Sequence, residues 1–282
     1  MTDTTVTADA GTGTGTKPLA VVTGASSGIG LALAKQFAQN DYDVVIAAED
    51  SELADATTQV RALGAEVVAV QVDLSKREGV ERLYEHIKAT GRPVDAIALN
   101  AGIGAGGQFV GGEKTTPLYA ELQMIELNVS STVHLAKLVM GDMVERGEGR
   151  VLFTSSIAST TPGPYQAVYH ASKSFVQSFA ESVREEVKDS GVTVTSLMPG
   201  PVDTEFFERA DLLDTAMGQG PKDDPDDVAA KGFKALMSGD AKVTAAGLKT
   251  KAQALTTALT PDKLKAKVFG SQTKPGSAPE PE

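Results

Sequence analysis

Cysteine is absent from the 282 residues. Its absence removes disulfides, thiolate nucleophiles and cysteine-ligated zinc from consideration. Histidine is almost as scarce: His86, His134 and His170 lie far apart and show no ligand spacing, so metal-independent chemistry is expected. No apolar run approaches the ~18 residues that a membrane helix needs, and the first eighteen positions hold neither a basic stretch nor an apolar core. A cytoplasmic protein without a membrane partner is the expectation. Positive charge is also short, with 26 Lys and Arg against 37 Asp and Glu for a net charge of −11. That balance disfavours nucleic acid, whose phosphates attract clustered cations. The acidity itself is most simply a solvated surface.

What the chain does contain is an alternation of two periods. Strand-like apolar runs fall at 19–23, 43–47, 66–71, 94–99, 149–154, 192–197 and 242–246, with helical spacing between most of them. This order predicts right-handed crossovers and an α/β fold with a doubly wound parallel sheet of about seven strands. The length suits one domain, taken as 17–246. Ser75-Lys-Arg-Glu78 reads as a capping box, and Asp224-Pro225 as an N-cap followed by a first-turn proline. Residues 1–16 and 271–282 have little apolar content and are expected to be disordered tails, with a helical extension over 247–270. In that extension Lys249, Lys251, Lys263, Lys265 and Lys267 suggest a solvated helical face.

Chemistry concentrates at two motifs. In LAVVTGASSGIG a β-branched run meets Gly24, Gly28 and Gly30, and Leu33, Ala34 and Phe37 then recur at helical spacing. The glycines therefore sit at a strand-to-helix turn whose amides suit a phosphate. The spacing is GxxxGxG rather than the generic GxGxxG of dinucleotide sites. The second motif is Tyr169-His-Ala-Ser-Lys173. Residues four apart share a helix face, and an ammonium beside a phenol favours the phenolate, so Lys173 is expected to lower the Tyr169 pKa toward neutrality. Thr23-Gly24, Asp73, Asn100, Ser155-Ser156 and Pro199-Gly200 each follow a strand, which gathers them at one sheet edge, where ligands bind in such folds.

TGASSGIG at 23–30, Asn100-Ala101-Gly102, Asn128, Ser156, Tyr169, Lys173 and Pro199-Gly200 together resemble the short-chain dehydrogenase/reductase family over about residues 18–240. The resemblance implies a single Rossmann-like domain and an NAD(P)-dependent oxidoreductase that interconverts a ketone or aldehyde with an alcohol by hydride transfer. Residue by residue it implies Tyr169 as general acid/base and Ser156, thirteen positions earlier, as the hydroxyl orienting the carbonyl. Lys173 would also bind the nicotinamide ribose, and Asn128 would hold a relay water. Cofactor contacts would come from Thr23, Gly24, Ser26, Ser27, Gly28, Ile29, Gly30, Asn100, Ala101 and Gly102. Asp73 and Leu74 would face adenine, although Asp73 also reads as a turn residue ahead of Ser75.

By the same resemblance Ala48 stands where NAD-binding members carry an acid, and Glu49 where NADP-binding members often carry Arg. Glu49 would repel a 2′-phosphate, which tilts the choice to NAD and leaves NADP open. Pro199, Gly200, Val202 and Thr204 match the PGxVxT stretch beside the nicotinamide. Phe206 and Phe207 follow, within a segment at 203–224 that suits either a substrate lid or a small packing element. A lid of this makeup suits a neutral, fairly apolar ketone, aldehyde or secondary alcohol; Arg209 and Lys222 are too isolated to argue for a charged one. The glycine-rich stretch 103–112 would form the opposite rim. Helices near 118–146 and 165–189, with Phe175 and Phe179, would pair in a homodimer or homotetramer. The alternatives are a non-catalytic dinucleotide sensor or scaffold, disfavoured because both Tyr169 and Lys173 are kept, and an epimerase or dehydratase of the same family.

Overall fold

The computed structural model describes residues 16–246 and 261–279. Among these residues seven parallel strands form one sheet: β1 (Leu19–Thr23), β2 (Asp43–Ala48), β3 (Val67–Gln71), β4 (Ala96–Leu99), β5 (Gly149–Thr154), β6 (Val192–Pro199) and β7 (Lys242–Ala245). Their order is β3-β2-β1-β4-β5-β6-β7. Strand order therefore reverses at β1, which pairs with β2 on one side and β4 on the other. This is the Rossmann-like arrangement expected from the sequence.

The helices are α1 (Gly28–Gln39), α2 (Leu53–Arg61), α3 (Arg77–Ala89), α4 (Leu118–Ile125), α5 (Thr132–Arg146), α6 (Ala167–Val187), α7 (Phe206–Arg209), α8 (Ala216–Gln219), α9 (Pro225–Ser238) and α10 (Asp262–Thr273). They cover both faces of the sheet, which is why its central strands read as unbroken apolar runs. Along β1 the side chains alternate, with Ala20 and Val22 joining α1 and α9 in one core and Leu19 and Val21 joining α3, α5 and α6 in the other. In the first core Phe37 makes edge-to-face contacts with Tyr42 and Phe233, each with ring centroids 5.3 Å apart. Truncating such a ring to Ala costs about 3–5 kcal/mol. No described helix is long and apolar enough to cross a membrane.

Local signals were met unevenly. Asp224 caps α9 by accepting from the Asp226 and Asp227 amides, with Pro225 in the first turn. The Ser75 capping box does not form: α3 starts after Lys76, and Asp73 Oδ1 instead accepts from the Ser75 amide at 2.8 Å and its hydroxyl at 2.6 Å. The acceptor two residues upstream outcompetes the helix end.

The stretch expected as one helix near 118–146 is broken by a π-turn at Glu126–Ser131. There Asn128 bonds another segment, and Ser131 and Thr132 hydroxyls donate back to the Leu127 and Asn128 carbonyls.

The tail expected from residue 271 is also different. Residues 271–273 complete α10, Thr273 is fully buried with its hydroxyl donating to the Pro164 carbonyl at 2.9 Å, and Ala278 N donates to the Asp214 carbonyl. Lys263 and Lys267 are exposed as expected, but Lys265 is mostly buried and pairs with Asp262. Lys249 and Lys251 lie outside the described residues.

Candidate active site

Beyond the carboxyl ends of β1, β4, β5 and β6 opens a crevice of about 1270 Å³. Its floor is the glycine turn. Gly24 and Gly28 have φ of +64° and +53°, and a Cβ on Gly30 would lie 1.8 Å from the Gly24 carbonyl oxygen. A side chain at any of the three would collide with Ala101, Thr204 or the Gly24 carbonyl, so the tight turn that presents the start of α1 to a phosphate requires bare glycines. The crevice is large enough for a dinucleotide and a small second molecule. Ser26, Ser27, Ile29, Glu49, Asp73, Leu74, Asn100, Ala101, Gly102, Pro199, Gly200, Val202 and Thr204 all border it. These residues fit a nicotinamide dinucleotide.

Two expected cofactor or relay residues do not border it. Thr23 is buried behind the turn, where its hydroxyl accepts from the Asn100 and Ala101 amides at 3.0 and 3.1 Å. It ties the end of β4 to β1. Asn128, 1% exposed, exchanges hydrogen bonds with the Ile103 backbone, both 2.9 Å, and donates to Ser172 Oγ. Asn100 borders the crevice, yet its carboxamide is engaged with the Thr23 carbonyl and the Thr154 hydroxyl. Thr204 rests on the glycine turn: a Cβ at Gly28 would sit 2.9 Å from its Cγ2.

Ser156, Tyr169 and Lys173 converge as their spacing implied. Ser155 turns its hydroxyl away to the Lys173 carbonyl, whereas the Ser156 hydroxyl accepts from the Ala158 amide at 3.1 Å and donates to the Pro199 carbonyl at 3.4 Å on the side of the crevice that holds the Tyr169 phenol. Lys173 is buried, donates to the Thr154 carbonyl at 3.0 Å, and stands 5.9 Å from the Tyr169 ring centroid. The electrostatics differ from the sequence expectation. Burial pushes the phenol up to about 12, with the Ser156 hydrogen bond opposing, and pushes the ammonium down to about 8. Desolvation disfavours both charged forms, and it outweighs the attraction between them.

Phe206 and Phe207 extend the site. The Phe206 ring lies 5.2 Å from that of Tyr169, and Phe207 packs edge-on to Phe206. Phe206 seats on Gly104 and Leu212 on Gly106, where any Cβ would collide with them. Segment 203–224 is thus closed over the glycine-rich rim.

Sequence reasoning gave Asp50 no role, set Arg209 aside as isolated and read the α10 region as a solvated extension. Asp50 accepts from Ser26 Oγ at 2.9 Å, and its Oδ1 is buried with no hydrogen-bond partner. Glu49, by contrast, is exposed. Asp50 stands 22 positions beyond Gly28, close to the spacing of a ribose-binding acid, and this was the available signal. Arg209 is not isolated: it meets Asp50, Glu52 and Glu205. On α10, Phe269 and Gln272 also border the crevice.

The sequence pattern described as short chain dehydrogenase matches residues 18–212. A 1-deoxy-11-beta-hydroxypentalenate dehydrogenase of Streptomyces exfoliatus is 37% identical over 192 residues, 67% of this chain and 69% of the relative. A short chain dehydrogenase of Pseudocercospora fijiensis is 32% identical over 198 residues, 70% of this chain, and the match spans 63% of that relative's length. Among solved structures, a short-chain dehydrogenase from Sphingobium yanoikuyae in complex with NADPH superposes with a TM-score of 0.75 at 25% identity, covering 86% of this chain and 93% of the other. The chain belongs to the short-chain dehydrogenase/reductase family of NAD(P)-dependent oxidoreductases.

Proposed function

We propose that the protein reduces a neutral, largely apolar ketone or aldehyde to the alcohol, with NADH bound along the glycine turn. The observation that carries this reading is the convergence of Ser156, Tyr169 and Lys173 on one crevice, with Lys173 Nζ 5.9 Å from the Tyr169 ring centroid and the Phe206 ring beside it. The dinucleotide, when bound, supplies the hydride. The chain's own groups hold the carbonyl oxygen and protonate it. Ser156 donates a hydrogen bond to that oxygen, and Tyr169 gives up its phenolic proton as negative charge develops there. A phenol raised to about 12 stays protonated throughout the working range, as an acid must. Lys173, as an ammonium, steadies the phenolate that remains and reaches the cofactor's ribose.

Asn128 supports this work from behind. A Cβ on Gly102 would stand 3.1 Å from Asn128 Oδ1 and 3.2 Å from Lys173 Nζ. The bare glycine lets both side chains lie close against the backbone at the crevice edge, from where a relay by way of Lys173 would return a proton to Tyr169. Asp50 borders the crevice at the carboxyl end of β2 and would accept from the adenosine ribose, its charge opposing a 2′-phosphate. NADP remains the second reading because Arg209 lies 3.9 Å from Asp50 and supplies a cation at that end. A panel of neutral ketones and aldehydes, followed by loss of reduced-nicotinamide absorbance with each dinucleotide, tests both points. Turnover with NADH well above NADPH is expected; no turnover of any carbonyl compound would remove the reading.

A further inference from the structure

The family match ends at residue 212, yet a helix fifty residues later borders the crevice. On α10 the positions Lys265, Phe269, Gln272 and Thr273 fall on one face at i, i+4, i+7 and i+8, and all four turn inward. Three contacts hold that face to the turn before α6: Phe269 meets the His170 ring edge-on at 4.3 Å, Gly270 rests on Pro164, and Thr273 donates to the Pro164 carbonyl. His170 is itself fixed by Thr161, whose carbonyl oxygen lies 2.8 Å from its Nδ1, and by Gly163, where any Cβ would overlap the imidazole. Beyond the helix, Gly276 N and Ala278 N donate to Asp214, and Ser277 Oγ accepts from Ala216 N. The segment 262–279 therefore straps the start of α6, which carries Tyr169, and the turn before it to residues 212–219.

We propose that α10 is a wall of the substrate pocket, with Phe269 as a specificity-determining residue that limits the size of the neutral ketone admitted. This rests on the carbonyl reductase reading and names its substrate class. Phe206 and Phe269 present aromatic rings to the crevice, one against Tyr169 and the other against the next residue along α6. The lining cations Lys114 and Arg209 are already paired, with Asp211 and Asp214 and with Asp50, Glu52 and Glu205 respectively. Among the described lining residues this leaves Lys173, which the chemistry uses, and no other unpaired cation to fix a carboxylate or phosphate on the substrate. Apolar rings and carboxamides suit an uncharged, largely apolar molecule with one carbonyl, whose bulk Phe269 limits.

The test compares wild type and Phe269→Ala on neutral cyclic ketones of one, two and three fused rings. Phe269→Ala is expected to raise kcat/KM for the largest relative to the smallest by about tenfold or more, with the reduced dinucleotide still binding within about twofold of wild type. An unchanged ratio overturns the proposal, as does a uniform loss across the series with lost dinucleotide affinity. A readout independent of turnover comes from Phe269→Trp, because the chain has no other tryptophan. Its emission should shift on adding the same ketones to the complex with oxidised dinucleotide. A shift without turnover would keep the wall and defeat the reductase reading; no shift with any ketone would defeat the wall.

Discussion

Burial brings the Lys173 ammonium down to about 8 and lifts the Tyr169 phenol to about 12, so these neighbours lose their protons about four units apart. Carbonyl reduction needs both protonated. Lys173 is a base whose pKa is lowered, so its charge is complete well below 8 and is lost as pH rises through that value. We expect kcat/KM for ketone reduction to be flat to about pH 7 and to fall above about 8. Lys173→Arg should carry the descending limb to higher pH if it still binds cofactor, while Lys173→Ala should weaken dinucleotide binding as well as rate. A profile level to pH 10 would remove Lys173 from the chemistry. On the proposed reading Asp50 governs a separate choice. Asp50→Ala removes a carboxylate from the β2 end of the crevice, so NADPH affinity should gain on NADH by about tenfold, a difference of about 1.4 kcal/mol read by fluorescence titration. Arg209→Ala should act in the opposite sense.

At the scale of the element, the glycine turn is where the backbone has least tolerance. Gly30→Ala would press a methyl against the Gly24 carbonyl. The turn must open, and dinucleotide affinity should fall by tenfold or more with a lower Tm. Gly141, in the exposed interior of α5 with nothing within 4 Å of a Cβ, is the contrast: Gly141→Ala should stabilise the fold by about 0.5–1 kcal/mol in denaturant titration. The sheet and the Tyr169–Lys173 pair were legible because strand periodicity and fixed helical spacing are local properties, whereas Ser156 was told from Ser155 by the family resemblance. The sequence reading singled out Glu49 and assigned Asp50 no role; adjacent strand-end residues face opposite ways, and it is Asp50 that meets Ser26. The π-turn at Asn128 depends on a partner 25 positions away at Ile103, and Phe269 on one 99 positions away at His170. No window along the chain contains such pairs. The electrostatic misreading has the same origin, since burial of Tyr169 and Lys173 is a property of the assembled crevice.

Over the whole molecule, apolar side chains stay uncovered on one side. Leu118, Leu122 and Ile125 on α4 and Phe175 on α6, stacked on Phe179, are exposed and belong to the helices expected to pair between copies. Sedimentation velocity should show a dimer or tetramer that Phe175→Glu shifts toward monomer; a wild-type monomer across a wide concentration range would contradict this. The central claim concerns one phenolic proton, and its most direct test is Tyr169→Phe. With a ketone that the wild type reduces, the variant should bind the reduced dinucleotide with unchanged affinity and lose about 10²–10⁴-fold in turnover at pH 7. A Tyr169→Phe enzyme that keeps near wild-type turnover would show that the proton comes from elsewhere.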